Sequence, residues 1–106
     1  MASSIRASHI LLMYKGSMRS TADRSKEEAQ TQIEALRDKI AGGEDFGAVA
    51  REVSDCPSGA DGGDLGEFRP GMMVASFDKA AFGLGVGEMS GVVETPFGYH
   101  LILRTA

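Results

Sequence analysis

Cysteine occurs once, at Cys56, which excludes an internal disulfide and suits a reducing compartment. Tryptophan is absent, and the only histidines are His9 and His100. Two histidines without paired cysteines or carboxylates at ligand spacing are a weak basis for a metal site. Basic residues are in the minority: eleven Lys and Arg against fifteen Asp and Glu give a net charge of −4. A phosphate-binding surface usually shows as a basic surplus, so nucleic acid is not an expected partner. Long apolar runs are lacking too. Met1–Arg6 has no signal-peptide core, and the longest wholly apolar run near the N-terminus, Ile10–Met13, is far short of a membrane span. No membrane partner is expected, and a cytoplasmic location is the simplest reading. A domain cut from a longer exported protein would read the same.

What is present suits one globular unit. The 106 residues are 42% hydrophobic and 25% charged, ordinary values for a folded domain with a modest core. A single domain over residues 1–106, ordered from about 5 to 105, is expected, as a monomer. Ile5 to Tyr14 reads as a strand: Ile5, Ala7, His9, Leu11 and Met13 share one parity, Ile10 and Leu12 the other. Apolar residues on both parities point to a central strand covered on both sides. Lys15–Arg24 is polar and holds Gly16, so it reads as a loop. Ser25 and Glu28 have capping-box spacing and start a helix. Ala29, Ile33, Leu36 and Ile40 line its buried face, and Gly42-Gly43 ends it.

A second helix is expected over about Asp45–Val53, with Phe46, Val49, Ala50 and Val53 buried. Ser54–Gly63 reads as a loop and Leu65–Phe68 as a short strand. A third helix is expected over Ser76–Phe82, capped near Ser76, followed by a turn region at Gly83–Gly87. Gly91–Thr95 and Tyr99–Arg104 form a hairpin around Pro96-Phe97-Gly98. The order is βααβαββ, an α+β domain with a small sheet. The two histidines lie on strands near opposite ends of the chain, and edge-to-edge closure of the sheet could bring them together. Cys56, between Asp55 and Pro57, shows neither the activating base nor the oxyanion hole that thiol hydrolysis needs.

Several short segments occur in a telling order: Ser8-His9-Ile10-Leu11, Asp55-Cys56-Pro57-Ser58-Gly59, Gly62-Gly63-Asp64-Leu65-Gly66-Glu67-Phe68, Gly71-Met72-Met73, Phe77-Asp78-Lys79-Ala80-Ala81-Phe82, Gly87-Glu88-Met89-Ser90 and Thr95-Pro96-Phe97-Gly98-Tyr99-His100. In order and spacing, this series resembles the parvulin family of peptidyl-prolyl cis–trans isomerases along essentially the whole chain. The resemblance implies a parvulin-like α+β fold: a four-stranded antiparallel sheet surrounded by helices, in the order βαααβαββ with an added helical turn near Ser58–Ala60. It also implies a site. His9 and His100 match the paired histidines at its centre. Cys56 matches a position that is Cys or Asp in different members, and Thr95 a hydroxyl residue beside the histidines. Leu65, Met73 and Phe77 match the apolar pocket for the substrate proline.

That reaction suits these residue types. Amide resonance makes uncatalysed X–Pro rotation slow, roughly 10–100 s. A turnover of about a hundred per second needs a barrier lower by roughly 5–6 kcal/mol. No bond is made or broken, so no nucleophile, metal or cofactor is needed, and the implied partner is a proline-containing polypeptide segment. Burying the pyrrolidine ring anchors one side of the bond, and desolvation weakens the resonance. Phosphorylation-dependent parvulins carry a basic cluster in the loop after the first strand. Here Lys15 and Arg19 are candidate anion-binding residues, with Arg24 beyond them, but Gly16, Ser17 and Met18 break the run. Met13 stands where those members tend to have lysine. With Phe97 it favours an apolar or unselective residue before proline. Met72 and Ser76 depart from the commoner Gln and Pro at the pocket rim. Two rival readings are a non-catalytic proline-binding module or chaperone, and a nucleic-acid accessory domain. The retained His9, Cys56, Met73, Phe77 and His100 oppose the first, and the charge opposes the second.

Overall fold

The computed structural model describes residues 4–18, 20 and 22–106. Strand β1, Ile5–Leu12, is buried at every position but Arg6, as its two apolar parities predict. The other strands are β2 (Asp64–Phe68), β3 (Val93–Thr95) and β4 (Gly98–Arg104). They form an antiparallel sheet in the order β2-β1-β4-β3. β1 and β4 are therefore the two central strands and pair directly, from Ala7 opposite Arg104 to Leu12 opposite Tyr99. The chain ends meet through this central ladder, and the edge-to-edge closure expected from the sequence is not the route. Helices α1 (Lys26–Ala41), α2 (Phe46–Val53) and α3 (Ala75–Phe82), with a 3-10 turn at Pro57–Asp61, complete the α+β order.

Side-chain alternation along β1 divides the core in two. Ile10 and Leu12 join Tyr99 and Leu101 of β4 against Ala29 and Ile33 of α1 and Phe46, Val49 and Ala50 of α2. Ile5 and Ala7 join Ile102 of β4, Phe68 of β2, and Phe77 and Ala81 of α3. Local signals set the helix ends. Ser25 Oγ accepts from the Glu28 N–H at 3.1 Å while the Ser25 N–H donates to Glu28 Oε1 at 3.0 Å, the reciprocal box read from the sequence. Asp45 caps α2 by accepting the Ala48 N–H at 2.9 Å.

Several boundaries differ from the sequence reading, and β2 and β4 each begin one residue earlier, at Asp64 and Gly98. β1 stops at Leu12 instead of Tyr14, because the Met13 N–H turns to Asp55 Oδ2 at 2.9 Å. β3 begins at Val93 instead of Gly91: Ser90 Oγ accepts the Ile102 N–H at 3.0 Å, so a side chain interrupts the ladder there. α3 begins at Ala75, and Ser76 lies inside its first turn instead of capping it. Val74 occupies the cap with no side-chain bond. The Ser54–Gly63 stretch, a loop by its residue pattern, contains the helical turn that the family resemblance implied, with Pro57 at its start and Gly62 in the left-handed region at its end.

That turn delivers the chain onto β1. The Gly63 carbonyl accepts the His9 N–H at 2.9 Å. Gly63 has φ +85°, and a Cβ placed there would lie 2.2 Å from the His9 carbonyl oxygen. Backbone thus meets backbone with no room for a side chain. Gly63→Ala should destabilise the domain by at least ~2 kcal/mol, through strain plus displacement of β1 at His9. Gly87→Ala is the control: φ is +83° but nothing lies within 4 Å of the added carbon. Its expected loss is about 1 kcal/mol, the conformational part alone. Urea midpoints of the two variants at constant slope measure the difference, and equal losses would remove the close approach from this account.

Candidate active site

His9 lies opposite Ile102 and His100 opposite Leu11, so the two histidines are diagonal neighbours on one face of the central ladder. Diagonal positions are within reach for ring side chains. The rings stack with centroids 5.2 Å apart and planes 23° apart, and their Nδ1 atoms are 3.0 Å apart. Phe77, brought up by the first turn of α3, meets both rings edge-on, with centroids 5.6 Å from His9 and 5.3 Å from His100. Phe77 is only 3% exposed and belongs to the core as well as to the site.

Hydrogen bonds continue outward from the pair in both directions. Thr95 Oγ1 lies 2.7 Å from His100 Nε2 and accepts the Phe97 N–H at 3.2 Å. Ser58 Oγ lies 3.2 Å from His9 Nε2 and donates to Cys56 Sγ at 3.2 Å. Burial pushes the His9 imidazole down to about 4, and burial together with the adjacent His9 pushes His100 down to about 3. Both rings are neutral near pH 7, so a single proton lies between the two Nδ1 atoms. One arrangement makes every contact at once. The Thr95 hydroxyl donates to His100 Nε2, His100 Nδ1–H donates to His9 Nδ1, His9 Nε2–H donates to Ser58, and Ser58 donates to Cys56. The reversed sense makes the same contacts, with the Cys56 S–H donating to Ser58, Ser58 to His9 Nε2, His9 Nδ1–H to His100 Nδ1, and His100 Nε2–H to Thr95.

A cavity of about 380 Å³ opens beside this relay. His9, His100 and Phe77 form one wall, and Leu65 of β2 with Met73 and Val74 ahead of α3 forms another. Met13, Leu11 and Phe97 lie at the β1 and β3–β4 turn side, and Cys56 and Pro57 at the 3-10 turn. Met72, 66% exposed, stands at the rim. Among the described residues its lining contains no carboxylate, ammonium or guanidinium, and both of its histidines are neutral. Such a site can hold an apolar ring, offer weak donors beside it, and exclude water.

Every substrate-pocket residue expected from the sequence, Met13, Leu65, Met73, Phe77 and Phe97, lines this one cavity, together with His9, Cys56 and His100. Thr95 is not in the lining and acts on His100 from behind. Lys15 is exposed on the loop outside the cavity, and Arg19 lies outside the described residues. Sequence reasoning missed Leu11, Pro57, Ser58 and Val74 as site residues. Leu11 was legible, since it shares the parity of His9 and Met13. Ser58 was not, because only the 3-10 turn aims its hydroxyl at His9.

The PPIC-type peptidyl-prolyl isomerase (rotamase) domain model matches residues 9–106. The chain belongs to the parvulin family. The Drosophila melanogaster protein dodo is 46% identical over 105 residues, covering 92% of this chain and 63% of its own length. A peptidyl-prolyl cis–trans isomerase, Pin1, of Malus domestica is 41% identical over 112 residues, covering 95% and 93%. The solved structure of the peptidyl-prolyl isomerase ESS1 from Candida albicans superposes with a TM-score of 0.94 at 33% identity, over 98% of this chain and 63% of that one. The fold is therefore the parvulin fold, and the chain is a parvulin-type peptidyl-prolyl cis–trans isomerase domain.

Because the folded-state histidine values are depressed, the unfolded chain binds more protons between about pH 4 and 6.5. Stability from the neutral pair is fully present above pH 6.5 and is lost as pH falls toward 4. By pH 5 the loss should reach roughly 2 kcal/mol per histidine. Isomerase turnover should stay nearly flat from pH 6 to 8, where neither folded histidine titrates. Urea titrations at pH 5 and 7.5, with turnover measured across pH 6–8, test both halves. A bell-shaped activity profile centred near 6.5 would show a histidine acting as acid or base.

Proposed function

We propose that this parvulin domain rotates X–Pro bonds non-covalently, with the proline ring seated on Leu65, Met73 and Phe77 and an apolar residue before proline facing Met13 and Phe97. The observation that carries the reading is the cavity itself: apolar on the proline side, edged by an uncharged relay that ends at a sulfur. The ring is anchored, and the rest of the peptide turns in a dry site where amide resonance is weakened. Contacts made only with the twisted amide lower the barrier. Cys56 lines the cavity, backed by the Ser58 hydroxyl, and in this scheme supplies a polarisable atom beside the turning amide without forming a bond. His9, His100 and Thr95 hold Ser58 and Cys56 in orientation through this relay and transfer no proton. No metal or cofactor takes part in this scheme. The substrate is a proline-containing polypeptide segment, bound by a monomer in the cytoplasm, without nucleic acid or membrane.

Charge placement supports an apolar preference over a phosphate one. Arg24, the third cation considered for the loop, is engaged in an ion pair with Asp55. Lys15 is exposed, and one exposed charge contributes at most about 1 kcal/mol, roughly a fivefold preference. A dedicated phosphate site offers several convergent donors.

Met73→Ala and Phe77→Ala separate the pocket from the core. Met73 is half-buried at the cavity, whereas Phe77 also packs on Phe68 and both histidines. Met73→Ala should cut kcat/KM by about tenfold or more with a small melting shift, at roughly 1.4 kcal/mol per tenfold. Phe77→Ala should lose activity and about 3–5 kcal/mol of stability together. Peptide assays run beside thermal melts decide it: a folded Met73→Ala, Phe77→Ala double variant with unchanged turnover would remove the pocket from the mechanism.

Catalytic efficiencies on Leu-Pro and phosphoserine-Pro peptides at one ionic strength test the substrate reading. Leu-Pro should be turned over at least as well. A phosphoserine preference beyond about a hundredfold, lost on Arg19→Ala, would move the domain to the phosphorylation-dependent branch.

A further inference from the structure

We infer that Arg24 is a positioning residue that sets selectivity for the side chain before proline, acting through Met13. This rests on the apolar-wall reading just given. Met13 is the first residue beyond the β1–β4 ladder, so no strand partner holds it. It nevertheless lines the cavity and is half-buried. Both of its main-chain polar groups are held by one ion pair. Its carbonyl accepts from Arg24 Nη1 at 2.9 Å, and its N–H donates to Asp55 Oδ2 at 2.9 Å. The same Nη1 donates to the same Oδ2, which closes the clamp. Both side chains are largely shielded, 25% and 29% exposed.

The clamp is braced on each side. Arg24 directly precedes Ser25, the capped start of α1, and its own carbonyl accepts the Lys15 N–H at 2.8 Å. The Asp55 N–H donates to the Leu11 carbonyl at 2.7 Å, and Asp55 is the neighbour of Cys56. One guanidinium thus ties α1, the Met13 wall and the Cys56 segment together, although Arg24 itself does not line the cavity. Asp55 holds the Met13 N–H by itself, but only Arg24 holds its carbonyl among the described residues. Without the guanidinium, the Met13 peptide can rotate and the wall no longer presents a fixed apolar face. A cationic donor held against Asp55 does this better than a neutral or absent side chain.

Leu-Pro and Ala-Pro peptides provide the test, with kcat and KM measured separately for the native chain, Arg24→Ala, Arg24→Lys and Met13→Ala. Native protein should favour Leu-Pro. Arg24→Ala should lower that preference about fivefold, mostly through KM, as should Met13→Ala, and the double variant should lose little more. Arg24→Lys keeps a cation that can reach Asp55 and the carbonyl, and should restore most of the preference. If Arg24→Ala does not fold, Arg24→Gln, which keeps a donor without the charge, should show an intermediate loss. An unchanged Leu/Ala ratio in folded Arg24→Ala or Arg24→Gln, or an equal loss on both peptides, would overturn the role of Arg24. No Leu preference in the native chain would instead overturn the apolar wall on which it rests.

Discussion

The pairing of β1 with β4 is the contact on which everything else in this domain depends. Its register places His9 and His100 diagonally on one face, where their rings stack. The opposite face of the same two strands carries Ile10, Leu12, Tyr99 and Leu101 into the α1–α2 core. A slip of one residue would exchange the faces, burying the histidines under α1 and aiming leucines at the cavity. The stability of the core and the geometry of the site are therefore set by one register.

A second constraint follows from burial. Two adjacent imidazoles cannot both be charged in an apolar pocket, and desolvation keeps each neutral. Neutral rings each have one donor and one acceptor, so Thr95, His100, His9, Ser58 and Cys56 can align in a single sense. The buried polar atoms of this face are thereby satisfied, and no described buried side-chain N or O lacks a partner. In the proposed scheme the relay holds dipoles in place within a dry cavity. That is the environment an amide rotation needs, and it has little use for a nucleophile.

The strong local signals survived folding intact. The Ser25–Glu28 box, the Asp45 start of α2, the two parities of β1 and the hairpin around Pro96-Phe97 are all decided by residues within a few positions of one another. The strand-end failures have a non-local cause, and the α3 cap a shift of one residue. β1 stops at Leu12 because a carboxylate 42 residues away takes the next N–H. β3 is shortened because Ser90, 12 residues from Ile102, substitutes a hydroxyl for a strand partner. Ser76 does not cap α3, because the helix starts one residue earlier and its hydroxyl has entered the first turn.

The sequence by itself determined the family, the order of strands and principal helices and, through the resemblance, most of the residues that share the cavity, because alternation, capping and motif spacing are short-range and survive translation into one dimension. Only the tertiary structure decided how those residues act on one another. It put β1 beside β4 in the middle of the sheet, pressed Gly63 against His9, turned Ser58 toward the imidazole and spent the charge of Arg24 on Asp55. Each of these is a contact between segments far apart in the chain. Its direction depends on where two backbones cross, and residue type alone carries no record of that crossing.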